Sequence, residues 1–134
     1  MDFLPSIAKA FRFHFEVAML KKILGAKGEK LAADFLERLG FEVINRNFRF
    51  ERGEIDIIAR KGKLIIFCEV KTRTSSVYGK GEEAVDLRKQ KQIRKVAEGY
   101  ILERELDDYE FRFDVVVVEI ERSETKIRII ENAF

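Results

Sequence analysis

EIDIIARKGKLIIFCEVKTR, residues 54–73, holds two runs of alternating and β-branched residues on either side of Lys61-Gly62. Such runs suit pleated strands, and a short connection with a glycine suits the positive φ of a hairpin turn. The arms run from Glu54 to Arg60 and from Lys63 to Arg73. With Lys61 and Gly62 as the loop, Ile55 faces Cys68, Ile57 faces Ile66, Glu54 faces Glu69 and Asp56 faces Phe67. The apolar pairs then share one sheet face. Glu54, Asp56, Glu69 and Lys71 share the other, with Asp56 and Glu69 diagonal neighbours about 7 Å apart at their α-carbons.

Upstream of the hairpin, FEVINRNFRF (41–50) reads as a strand, and Gly53 punctuates the turn that follows it. AKGEKLAADFLERLG (26–40) reads as a helix with Ala32, Ala33, Leu36 and Leu39 inward and Gly40 as its stop. Glu29 falls on that inner stripe, an unusual place for a carboxylate. Downstream, TSSVYGKGEE (74–83) is an exposed loop, and a second helix runs from Glu82 to about Glu105 with Lys89, Ile93, Val96 and Tyr100 on one stripe. FRFDVVVVEIE (111–121) has the composition of a strand covered on both faces, and KIRIIENAF (126–134) supplies a last strand. A helix between the hairpin and the fourth strand allows that pair to be parallel. The fold class is therefore α/β, with a central mixed sheet of about five strands flanked by helices.

The chain has 134 residues and is 46% hydrophobic, enough for one core and short for two. Its 26 basic and 24 acidic residues leave a net charge of +2, too little to announce a nucleic-acid binder from composition. A single cysteine, Cys68, lies in an apolar run and reads as an inert thiol in a reducing compartment, so a cytoplasmic location is expected. In residues 1–24 Lys9, Arg12, His14 and Glu16 interrupt every apolar run, which excludes a signal peptide and a membrane span. Two apolar stripes, Ile7-Phe11-Phe15-Ala18 and Phe13-Val17-Leu20-Leu24, point to a helical extension packed on the domain or on a second copy. The expected organisation is an amphipathic helix over 1–24 and one domain over 25–134.

Two carboxylates aligned on one sheet face repel each other, and a divalent cation relieves that repulsion. Mg2+ or Mn2+ suits one or two carboxylates completed by water and a substrate phosphate. Asp56 and Glu69 are the expected ligands, with the Val70 carbonyl as a further oxygen and Glu29 reaching in from the helix. Lys71 points the same way as Glu69, where it can position or deprotonate an attacking water. The Asp56…Glu69-Val70-Lys71 spacing resembles the PD-(D/E)xK nuclease pattern, with Ile55 in place of the proline. The chain also resembles the YraN family of small bacterial proteins, whose fold is similar to that of Holliday-junction resolvases. That resemblance rests on Gly25, Gly28-Glu29, Ala32-Ala33, Asn47, Gly53-Glu54-Ile55-Asp56, Phe67, Glu69-Val70-Lys71-Thr72-Arg73, Gly79, Lys89, Arg112-Phe113-Asp114 and Asn132-Ala133-Phe134. It implies a restriction-endonuclease-like fold and contact with nucleic acid.

Several residues admit a plainer reading beside the functional one. Glu69 and Lys71 alone would be an ordinary strand ion pair, but such a pair leaves Asp56 unexplained. Glu29 could cap the helix start. Glu54 could pair with Arg52 or Arg73, and Asp114 with Arg112 or a loop amide. Thr72, Arg73, Lys80 and Lys89 are the candidate nucleic-acid contacts, while the run RKQKQIRK reads as a solvated helix face. The leading expectation is a metal-dependent nuclease acting on DNA, branched or damaged duplexes included, with a homodimer formed through the N-terminal helix and no membrane association. The alternative is a non-catalytic nucleic-acid-binding or scaffolding module of the same fold; an RNA nuclease is a third reading.

Overall fold

In the computed structural model the described residues are 3–74 and 85–134, with side chains from Ser6 onward. Their order is α1 (Phe3–Arg38), β1 (Glu42–Phe50), β2 (Gly53–Lys61), β3 (Leu64–Thr74), α2 (Leu87–Arg104), β4 (Glu110–Ile120) and β5 (Thr125–Ile130). The strands form one five-stranded sheet in chain order, antiparallel except for the parallel β3–β4 pair spanned by α2. This mixed sheet between helices is consistent with the restriction-endonuclease-like fold.

The two helices expected on either side of Gly25 are one helix of 36 residues. A glycine inside a helix costs about 1 kcal/mol against alanine, too little to break a segment whose flanks both favour helix. α1 turns inward only from Gly28, the first of its residues that is buried; Ser6 to Ile23 are all exposed. Among the described residues no helix is long and apolar enough to cross a membrane.

Helices cover both sheet faces, so each face carries its own apolar layer. Ala32, Ala33 and Leu36 of α1 pack on Ile57, Ala59, Ile66, Cys68, Val116 and Val118. Ile93, Val96, Ala97 and Tyr100 of α2 pack on Ile55, Ile58, Ile65, Phe67, Val115 and Val117. The four valines of β4 alternate between the layers, as expected of a strand covered on both sides. Burial pushes the Cys68 thiol well above its ordinary value, in keeping with an inert core residue.

Two expectations for the hairpin need correction. Its loop is Gly62-Lys63, because Lys61 pairs with Leu64 and Ile57 with Cys68. Gly62, at φ 61°, takes the first central position of the turn instead of the second. In addition, Ile55 and Ile57 do not share a face: Ile55 lies in the α2 layer and Ile57 in the α1 layer. Alternation along β2 therefore breaks at Asp56, and on β1 Asn47, between the paired positions Arg46↔Ile57 and Phe48↔Ile55, has φ 52°. The fault in the two strands falls at the acid of interest.

Other boundaries moved by a few residues. α2 begins at Leu87, where the Asp86 carboxylate accepts the Lys89 amide at 2.8 Å and caps the helix. The strand expected over residues 126–134 ends at Ile130, and Asn132-Ala133-Phe134 folds back on β4. There the Ala133 amide donates to the Phe113 carbonyl at 2.8 Å, the Asn132 amide to Asp114 Oδ1 at 3.0 Å, and the Phe134 ring lies 5.3 Å from that of Phe113. Asp114 is fully buried and also accepts from Arg112 Nε and Nη2 at 2.8–3.0 Å, so it takes both structural partners expected of it.

Candidate metal-binding acid cluster

The β2–β3 ladder stops at Ile57↔Cys68, and the next step would set Asp56 directly across from Glu69, not diagonal to it. There the strands part. The Val70 amide, which a continuing ladder would have used, donates to Asp56 Oδ2 at 2.8 Å. The carboxylate thus takes over one bond of a broken sheet and is held where the strands diverge.

Glu29 reaches this point from α1 because that helix lies close on β3. A Cβ on Gly28 would run into the Thr72 side chain, so only glycine permits the approach. Thr72, a candidate nucleic-acid contact, also forms part of this helix–strand seat. The Glu29 carboxyl lies near enough to Asp56 for each to shift the other, and Asn47 closes the ring from β1. With its amide nitrogen turned toward the acids, Asn47 donates to Glu54 Oε1 at 2.9 Å and to Glu29 Oε1 at 3.0 Å. An asparagine tolerates the left-handed backbone that this position demands. Its unusual presence in a β-branched and aromatic strand was the only sequence signal for this role. Glu54 lies 3.7 Å from Arg49 and pairs there, not with Arg52 or Arg73.

Four carboxylates, those of Glu29, Glu54, Asp56 and Glu69, therefore act on one another. Glu69 is pushed up to about 7, first by burial and then by the charge of Asp56. Asp56 is raised chiefly by burial, against the lowering effect of the Val70 amide, and Glu29 is raised by burial and by Asp56. Lys89, in the first turn of α2, brings Nζ to 4.0 Å from Glu69 Oε2. That contact is too long for a hydrogen bond, and Oε2 is buried with no hydrogen-bond partner among the described residues.

A divalent cation fits this donor set. Glu69 Oε2 is a buried acceptor with no hydrogen-bond partner among the described residues, beside the buried carboxylate of Asp56, a pair that a cation would relieve. No three acid, histidine or cysteine side chains among the described residues close around a single point. The arrangement suits an ion that takes two carboxylates and keeps waters, as Mg2+ does, better than one caged wholly by protein.

The acids open into a cleft of about 910 Å³. Glu29, Asp56, Glu69, Val70, Lys71, Thr72 and Arg73 line it, and so do the exposed Val17, Leu20 and Lys21 and the half-buried Leu24 of α1. Of the residues singled out in the sequence, Lys89 touches Glu69 from the α2 side and is not in the cleft lining, and Lys80 lies outside the described residues. Lys21 was missed, because the chain up to Leu24 was read as separate from the domain.

Comparison with known proteins places the same region. The model of the uncharacterised protein family UPF0102 matches residues 28–118, beginning where α1 first becomes buried. A UPF0102 protein of Alkaliphilus metalliredigens is 48% identical over 115 residues, covering 86% of this chain and 100% of the relative. One from Caldicellulosiruptor saccharolyticus is 42% identical over 118 residues, covering 87% and 100%. One from Geobacter sulfurreducens is 46% identical over 114 residues, covering 84% and 89%.

Proposed function

Because this chain belongs to the UPF0102 family, the YraN family of the sequence resemblance, we propose from its acid cluster that it is a Mg2+- or Mn2+-dependent phosphodiesterase acting on DNA, branched or damaged duplexes included. One observation carries the reading: among the described residues nothing hydrogen-bonds the buried Glu69 Oε2 beside Asp56, and Glu69 is raised to about 7 by burial and that neighbour. A purely structural acid pair would be relieved by a donor; here Lys89 Nζ stops 4.0 Å from Glu69 Oε2.

Asp56 and Glu69 would hold the ion, with the Val70 carbonyl as a further oxygen. When bound, the ion neutralises charge on the scissile phosphate and lowers the pKa of a coordinated water. Lys71, beside Glu69 in the cleft, orients the attacking water and balances the charge that develops on the phosphoryl oxygens. Glu29, beside Asp56, would accept a hydrogen bond from that water or hold a second ion. Asn47 holds Glu29 and Glu54 in position without entering the chemistry. A homodimer would let two such clefts act on two strands, and the outer stripe of α1 is the surface for it.

The test is incubation of purified protein with junction, flap, nicked and linear DNA and Mn2+, beside Glu69→Ala and Lys71→Ala proteins. Cleavage should fall at least roughly a hundredfold in both variants, the size typical of losing a group that stabilises the transition state. Equal cleavage by all three proteins would remove Asp56, Glu69 and Lys71 as the active centre. Binding of DNA with neither cleavage nor metal uptake by calorimetry would favour the non-catalytic module instead.

A further inference from the structure

Along α1, N-terminal to Glu29, the lining of the cleft turns apolar, and the phosphodiester chemistry gives this stretch no task. Val17, Leu20 and Leu24 occur at i, i+3 and i+7 and so lie on one face of α1, with Lys21 beside them. Counting from Glu29 along the helix, this wall begins roughly 7 Å away and ends roughly 18 Å away. Val17 is 37% exposed and Leu20 56%, although both line the cleft that holds Asp56 and Glu69. Large aliphatic side chains left open beside a charged site mark a surface that something covers.

Resting on the phosphodiesterase reading, we infer that this wall receives an unpaired nucleotide of the DNA substrate, its base lying on Val17, Leu20 and Leu24 while Lys21 meets the adjoining phosphate. Charge and shape favour this occupant. A ligand of the cleft must present anionic groups to Lys21, Lys71 and the cation site, and an apolar flat face to the helix. In a continuous duplex the base faces are stacked on one another, so the wall would meet only sugars and phosphates and strip water from them without return. An unpaired strand exposes base faces, and apolar side chains commonly receive a base taken out of its stack. The preferred substrate is thus a strand end, flap or gap beside the scissile bond.

Fluorescence anisotropy of the full chain measures this directly, using a labelled oligothymidylate of about fifteen nucleotides and a blunt duplex of equal length, with Ca2+ present. The wild-type protein should bind the single strand roughly tenfold more tightly than the duplex. Leu20→Ser should remove most of that preference and leave duplex binding unchanged. Lys21→Ala should weaken both and reduce the salt dependence by about one counterion. Both side chains are exposed, so circular dichroism and Tm should match wild type. Equal or tighter duplex binding by the wild-type protein overturns the inference, as does a Leu20→Ser protein that keeps its single-strand affinity. A Mn2+ cleavage assay on the same oligonucleotides separates the two readings. Strand preference with no cleavage of any DNA overturns the phosphodiesterase reading alone, and cleavage indifferent to Leu20→Ser overturns the apolar subsite alone.

Discussion

At the scale of single residues, Glu69 couples the site to the stability of the fold. Its carboxyl is raised from an ordinary value of 4.5 to about 7, so between those pH values the folded chain holds more protons than the unfolded one. Stability then falls as pH rises through that window, by on the order of 3 kcal/mol in the metal-free protein. Glu69→Gln keeps the shape and cannot ionise. Its Tm should exceed that of the wild type by several degrees near pH 8 and match it near pH 5, as read by differential scanning calorimetry in EDTA. A gap of equal size at both pH values would mean that charge is not the cause. Gly28 gives the second prediction. Gly28→Ala would drive a methyl into Thr72 and push α1 off β3, costing about 1–3 kcal/mol and moving Glu29 away from Asp56. Urea unfolding would give the first number, and loss of Mn2+ affinity would report the second effect. Asp56, Glu69, Lys71 and Glu29 were legible in the sequence because strand and helix periodicities bring them together. Asn47 was not, since its role needs a left-handed backbone angle that composition does not announce.

At the scale of elements, the hairpin shows how a sequence can bring two acids together with the wrong register. The glycine of Lys61-Gly62-Lys63 can serve as the second or the first central residue of a two-residue turn, and both choices satisfy local sterics. They differ by two in the pairing sum, which leaves every side chain on its face and only slides one arm along the other. Hence Glu69 moved from diagonal to opposite Asp56, and the acid pair survived the error. The break at Asp56 could not be read, because it depends on β1, β2 and β3 together. The closing Asn132-Ala133-Phe134 was misread as strand for a related reason: Ile127, Ile129 and Ile130 set a β pattern that the tail continues only in composition. In fact the tail clasps β4, where the Phe134 ring packs at a tilt against Phe113 and lies beneath Arg94. Phe134→Ala should cost about 2 kcal/mol, seen as a lower urea midpoint at unchanged slope. Deleting the last three residues should cost more, because buried Asp114 would lose the Asn132 amide as well.

At the scale of the whole molecule, α1 belongs to two environments. From Gly28 it is part of the core, and before that it is an arm whose apolar residues run around most of its circumference. A helix apolar on more than one side needs more than one cover. The stripe of Val17, Leu20 and Leu24 borders the cleft, which leaves Ile7, Phe11 and Phe15 on another side, with Phe11 75% exposed and Phe15 60% exposed. Because each copy carries one such arm, two copies can pair arm to arm and bury both outer stripes while their clefts stay open. The full chain should therefore show reversible dimerisation in sedimentation velocity over a micromolar range. Phe11→Ser combined with Phe15→Ser should yield a monomer whose Tm in dilute solution stays within about 2 °C of wild type, because neither side chain touches the core. A wild-type chain that remains monomeric at the highest concentration would end the case for the dimer. A double variant that still dimerises would move the interface off the arm and onto the sheet edges, where β1 and β5 each have one side unpaired among the described residues.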